Sequence, residues 1–79
     1  MQPADSKPGN YYVTARDAGR TAFLAGPFRD NHAAALALVD RVSAAAIKTD
    51  ARAVFWSFGT TRAPHSFNRP GALNAALGL

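Results

Sequence analysis

The sequence predicts a small α+β domain of ββαβ order, a three-stranded antiparallel sheet with one helix on one face. Three observations carry this. Two β-prone segments, Tyr11–Arg16 and Thr21–Ala25, flank a glycine-containing turn. An alanine-rich stretch from Ala33 to Lys48 carries an apolar stripe, and the aromatic run Ala53–Gly59 follows it. The chain has 79 residues, a formal net charge of +4 and no cysteine. That is one domain, without disulfides or a thiolate metal site. No apolar run approaches the ~18 residues of a membrane helix, so no membrane association is expected. The start lacks the charged, apolar and cleavage-site series of a secretory signal, so none is expected. A chain this short buries only about 60% of its unfolded surface and is marginal alone, so oligomerisation or a partner is the natural remedy.

Residues 1–10, MQPADSKPGN, hold two prolines, a glycine and no apolar side chain larger than Met1. They read as a disordered arm. Tyr11, Tyr12, Val13 and Thr14 are aromatic or β-branched and open the first strand. Asp17-Ala18-Gly19-Arg20 makes a hairpin loop, with glycine where a positive φ is useful. The second strand, Thr21–Ala25, is stopped by Gly26-Pro27, because proline lacks a backbone donor.

Asp30 or Asn31 supplies a side-chain acceptor to cap the helix. Ala35, Leu38, Val39, Val42 and Ala46 share one small-sided helix face, while Asp40, Arg41 and Lys48 lie off it and read as solvated. In the third strand Val54, Trp56 and Phe58 fall on one face and Phe55 on the other. That run predicts a central strand with both faces covered at least in part. Residues 62–70 read as a proline-punctuated linker, and Gly71–Leu79 as a short helix that orders only by docking. The organisation is thus an arm (1–10), a ββαβ domain (11–61) and a linker with a short helix (62–79). One helix covers one sheet face, leaving the other wet, covered by the tail, or buried against another molecule.

The residues offer little for catalysis, and the chain is expected not to be an enzyme. Glutamate is absent, and the two histidines, His32 and His65, are far apart in the chain. Neither falls in a zinc-ligand spacing. His32 reads as a surface residue of the first helical turn and His65 as solvated, and Ser57 lacks a nucleophile elbow. Gly26-Pro27-Phe28 precedes a helix but matches neither glycine-rich phosphate pattern. No cofactor or metal is expected. All five acids are aspartates at or before Asp50, so Arg52, Arg62, Arg69 and His65 leave the C-terminal part positive. This defines an alternative, a nucleic-acid-binding module that uses Arg16, Arg20, Arg52, Arg62 and Arg69 around an aromatic sheet face.

Tyr11-Tyr12-Val13, Gly26-Pro27-Phe28, the helical Ala35, Leu36, Leu38, Val39 and Asp40, and Phe55-Trp56-Ser57-Phe58-Gly59-Thr60 form a series. Over residues 11 to 62 it resembles small proteins encoded by proteobacterial phages and prophages. The resemblance implies an accessory protein that binds and occludes a host macromolecule, as anti-CRISPR and other anti-defence inhibitors do. The implied partner is a host protein or complex, and the implied place of action is the cytoplasm of the infected or lysogenic bacterium. A homodimer through the uncovered sheet face or the C-terminal segment is a further expectation. A second resemblance is to SPOR domains, which bind denuded peptidoglycan glycan strands. It rests on Leu24-Ala25-Gly26-Pro27-Phe28 ahead of an alanine-rich helix, a unit that SPOR domains usually carry twice and this chain once. For an interface the residues selected are Trp56 first, then Tyr12, Phe55 and Phe58, with Arg62 and Arg69.

Overall fold

Alternation of side chains along a strand gives each sheet two faces, and here both are covered. The computed structural model describes residues 4–79. Strands β1 (Asn10–Asp17) and β2 (Arg20–Arg29) form the expected antiparallel hairpin. Ala18 and Gly19 take φ of 50° and 83°, the two positive values that a tight primed turn requires. Helix α1 (His32–Thr49) starts where expected, and Asn31 Oδ1 accepts from the Ala34 amide at 3.1 Å. Strand β3 (Ser57–Ala63) completes the sheet in the order β2-β1-β3, and helix α2 (Asn74–Leu77) ends the series. The α+β, ββαβ architecture is therefore the one the sequence predicts.

Three local expectations are corrected. Strand β2 does not stop at Gly26-Pro27 but runs on to Arg29. The register with β1 slips there, Tyr11 facing Phe28 and Val13 facing Ala25, so Pro27 has no partner from which to withhold a donor. The third strand does not begin at Ala53. Residues Ala51–Phe55 form a 3-10 turn, and the strand starts at Ser57. The central strand is not the third but the first, since β1 pairs with both neighbours and β3 is an edge.

The core follows from that order. Tyr11, Val13 and Ala15 point from β1 towards α1 and join Leu24, Ala25, Ala35, Val42 and Ala46. Ala35 and Ala46 keep the helix close to the sheet. Leu38 and Val39 pack at the margin of this core, so the predicted stripe is the buried one. His32 departs from its predicted surface role: it is buried and stacks on Tyr11 with ring centroids 4.8 Å apart. Arg41 is exposed as expected, and its guanidinium also donates to the Leu77 carbonyl at 3.0 Å, tying α1 to the tail.

Tyr12 and Thr14 point to the opposite face, which the C-terminal segment covers. Phe67 stands edge-on to Tyr12 and Phe23, with centroids 5.5 and 5.0 Å away, and those two rings stack at 5.0 Å. The Tyr12 hydroxyl donates to the Arg69 carbonyl at 2.8 Å, and Asn10 Nδ2 donates to the Phe67 carbonyl at 2.8 Å. The segment then adds itself to the outer edge of β2. The Gly71, Ala72 and Leu73 amides donate to the Gly26, Phe23 and Leu24 carbonyls at 3.1, 2.9 and 2.8 Å. The Asn74 side chain both accepts from the Gly26 amide and donates to its carbonyl. Residues 62–70 are thus not a linker: the first two close β3 and the rest form a cover. Burial raises the phenol pKa of both Tyr11 and Tyr12.

Of the expected arm, residues 1–3 lie outside the described residues and Asn10 already belongs to β1. Residues 4–9 form no regular element and are tied at several points. The Asp5 amide donates to His32 Nδ1 at 2.6 Å, the Gly9 amide to Asp30 Oδ1 at 2.9 Å, and the Tyr11 hydroxyl to the Lys7 carbonyl at 2.6 Å.

Two substitutions test the cover. A methyl group on Gly71 would lie 2.5 Å from the Ala25 amide nitrogen, so Gly71→Ala should lift the tail and destabilise by about 2 kcal/mol. Phe67→Ala should cost about 2 kcal/mol, below the value for a fully buried phenylalanine because Phe67 is half-buried. Thermal unfolding should report each as a fall of roughly 10 °C. An unchanged midpoint for both would show that the segment is not part of the folded unit.

Candidate protein-binding surface

The 3-10 turn decides which apolar side chains meet water. Asp50 caps it: its Oδ1 accepts from the Arg52 amide at 3.0 Å, while the Ala53 amide donates to the Asp50 carbonyl at 2.9 Å. The Arg52 guanidinium folds back on the same carboxylate, with Nε to Oδ1 at 3.1 Å and an NH2 to Oδ2 at 2.9 Å. Those hydrogen bonds, led by the side-chain pair, hold the Asp50 carboxyl below its ordinary range and raise the guanidinium further. Ala53 is buried and anchors the turn, and the Trp56 amide closes it on the Ala53 carbonyl at 3.0 Å.

With Ala53 inside, the next two side chains are turned out. Val54 is 60% exposed and Phe55 86%. Trp56 is half-buried and leans on Phe58 at 6.3 Å with the ring planes 39° apart. Phe58 faces Ala15 on β1 and packs against the core. Beside Trp56 lies a cleft of about 390 Å³ whose walls include Ala15, Asp17, Arg20, Arg52 and the indole. Ile47, on the last turns of α1, is 38% exposed, so most of the large exposed apolar side chains fall between residues 47 and 55. The arrangement offers an aromatic anchor on a fixed turn, an indole-walled cleft and arginines of both free and paired kinds. Tryptophan, arginine and other aromatics are the residues enriched at interface centres.

The selected interface residues therefore part company. Phe55, Trp56 and Phe58 lie together, Phe55 at the surface and Phe58 mostly beneath it. Tyr12 is corrected: it is fully buried under Phe67 and presents no surface. Arg62 is exposed near the other end of β3, where it donates to the Pro8 carbonyl at 3.2 Å. Arg69 is exposed on the far face beside Phe23, Phe67 and Pro70. Val54, Asp17 and the Asp50 fork were not singled out in the sequence. The signal for the fork was local, an aspartate two residues before an arginine at a helix end.

The titratable groups gather elsewhere. His65 Nε2 lies 2.7 Å from Asp30 Oδ1, which also accepts from Gly9. His32 Nδ1 accepts the Asp5 amide, so its proton sits on Nε2, which donates to Thr60 Oγ1 at 2.8 Å. Among the described residues, no group of three or more His, Cys, Asp or Glu is placed to hold a metal ion. No helix among them is long and apolar enough to cross a membrane.

Fold and surface together define a small α+β protein whose polar chemistry is spent on tying segments together, with one apolar turn left to solvent. The chain matches no protein-family model, no curated protein and no solved structure.

The Gly9 amide, then His65, holds the Asp30 carboxyl below its ordinary value, as Arg52 does for Asp50. A depressed folded-state pKa stabilises above the unfolded value, and that contribution is lost as pH falls through the folded one. Stability should therefore hold above pH of about 4 and decline below it. Asp30→Asn keeps an acceptor for Gly9 and suits the local φ of 52°. Melting curves from acid to neutral pH should show a lower midpoint at neutrality and a shallower acid decline for this variant. An acid decline identical to that of the parent would exclude Asp30 as its source.

Proposed function

We propose that the chain is a non-enzymatic binding protein that occludes a macromolecular partner through the 3-10 turn. The observation that carries the reading is Phe55, 86% exposed on a turn fixed by the Asp50 cap and the buried Ala53. A turn whose backbone is already held needs little further ordering on binding, which favours the affinity gained by burying its aromatic side chain. Arg20 and Arg52 around the indole give that contact a polar rim. The partner the phage-protein resemblance supplies is a bacterial host protein or complex, and the place of action is the cytoplasm of that host. The Phe67 cover over Tyr12 and Phe23 speaks against the sheet-face route to a homodimer named from the sequence, whereas Leu79, 53% exposed, leaves the route through the C-terminal segment open.

The nucleic-acid reading draws less support. Its stacking platform needs exposed sheet aromatics with basic neighbours, whereas Phe55 lies on the 3-10 turn ahead of the sheet, Trp56 beside Arg20 and Arg52 is half-buried, and Phe58 packs against the core. The SPOR-like reading rests on a single strand–helix unit.

Phe55→Ser should leave the unfolding midpoint within the ordinary range of surface substitutions, about 0.5 kcal/mol. It should also weaken retention of captured host proteins by tenfold or more, the loss typical of an anchor. Retention unchanged in both Phe55→Ser and Val54→Ser would reject the turn as the contact. A mobility shift of DNA or RNA at moderate salt by the parent protein would favour the nucleic-acid reading instead.

A further inference from the structure

The two outer edges of the sheet are treated differently. The edge of β2 is closed by Gly71–Asn74, as described above. The edge of β3 is not. The Gly9 carbonyl accepts from Asp30 and the Tyr11 carbonyl faces Gly26, so the odd-numbered residues of β1 turn their backbone groups to β2. Successive residues alternate, so Asn10, Tyr12, Thr14 and Arg16 turn theirs to β3, against Ala63, Thr61, Gly59 and Ser57. Phe58, Thr60 and Arg62 therefore direct their N–H and C=O groups away from the sheet. Among the described residues no backbone or side-chain group bonds to them there.

This edge carries no proline and no lysine, the usual protections against strand addition. The charged residue of β3 itself is an arginine. Arg62 is exposed near one end, and Arg16 is exposed at the other, opposite Ser57. The span between Ser57 and Arg62 is about 17 Å at the ordinary strand rise. Of the nearby acids, Asp50 is engaged by Arg52 and Asp30 by His65, while Asp17, next to Arg16, lies on the Trp56 cleft with Arg20 and Arg52. A side chain added at Gly59 would meet nothing within 4 Å, so the second face beside the edge has room for a neighbouring strand's side chains. A second copy brings another +4 to the contact, which opposes self-pairing.

We propose that the open edge of β3 takes up an extended, acid-flanked segment of the partner protein as a fourth strand. The proposal rests on the binding-protein reading and names the way in which the partner docks. Main-chain hydrogen bonds to Phe58, Thr60 and Arg62 supply affinity, the arginines select acidic ends, and Phe55, two residues ahead of the strand, adds an apolar contact at one end.

The test is amide hydrogen exchange of the full chain, read residue by residue by NMR, with synthetic seven-residue peptides. One peptide alternates valine and threonine between terminal aspartates, a second replaces the aspartates with lysines, and a third N-methylates alternate amides of the first. Millimolar aspartate peptide should slow exchange at Phe58, Thr60 and Arg62 by tenfold or more, while Gly59 and Thr61, already paired with β1, change little. The lysine and N-methylated peptides should not protect, and Arg62→Gln should weaken the effect of the aspartate peptide. No protection by the aspartate peptide overturns the strand addition. Equal protection by the lysine peptide overturns the acidic selectivity. Protection that grows with protein concentration alone assigns the edge to a second copy and overturns the heterologous partner. Failure here with Phe55-dependent capture intact removes only this docking mode, whereas loss of both removes the binding reading itself.

Discussion

The rest of the structure depends on one constraint: β1 is buried on both faces while paired along both edges. Tyr11, Tyr12 and Val13 together present large side chains to two opposite directions, and each is at most 2% exposed. Burial of side chains of that size is worth about 1.5–3 kcal/mol each, so two covers are needed. Helix α1 is one, brought close by alanines, and Phe67 with its flanking loop is the other. The two phenol groups extend the constraint outward. The Tyr11 hydroxyl binds the Lys7 carbonyl and the Tyr12 hydroxyl the Arg69 carbonyl, so each ring that fills the core also fastens a segment of irregular chain.

Seen from that strand, the small size of the chain ceases to be a deficit. The sequence suggested a core one helix short of closure, because a three-stranded sheet has two faces. The closure comes from residues that carry almost no pattern. Phe67 sits alone among proline, serine, asparagine and arginine, and Gly71 works through its lack of a side chain against Ala25. Neither signal is periodic, so neither reads as structure until β2 and β1 are in place. The exposed Phe55 then stands out as a surface feature rather than a symptom of incomplete folding.

The parts legible in advance were those governed by near neighbours in sequence. The hairpin followed from Gly19, the helix start from the pair Asp30 and Asn31, of which Asn31 is the cap, and its buried stripe from Ala35, Val42 and Ala46. The aromatic run was read as strand because Val54, Phe55 and Trp56 favour strands intrinsically. The Asp50 cap and the burial of Ala53 overrode that preference and set two of those side chains outside. Similarly, Pro27 does stop a regular ladder, but a slipped register accommodates it without ending the strand. The place of His32 in the first helical turn pointed to the surface, whereas three partners, the Asp5 amide, Thr60 and the Tyr11 ring, satisfy it inside. Of the candidate site, Phe55 and Trp56 were legible as aromatics but not as outward-facing, since that depended on the turn.

The cover of the second face has an implication for the order of events during synthesis. Phe67 and Gly71–Asn74 follow every strand and the main helix along the chain. A ββα portion that assembles before those residues dock has Tyr12, Phe23 and the outer edge of β2 bare, and the later segment seals them. During that interval the nascent chain has an apolar sheet face and an unpaired edge at once, the combination that chaperones recognise and that promotes aggregation.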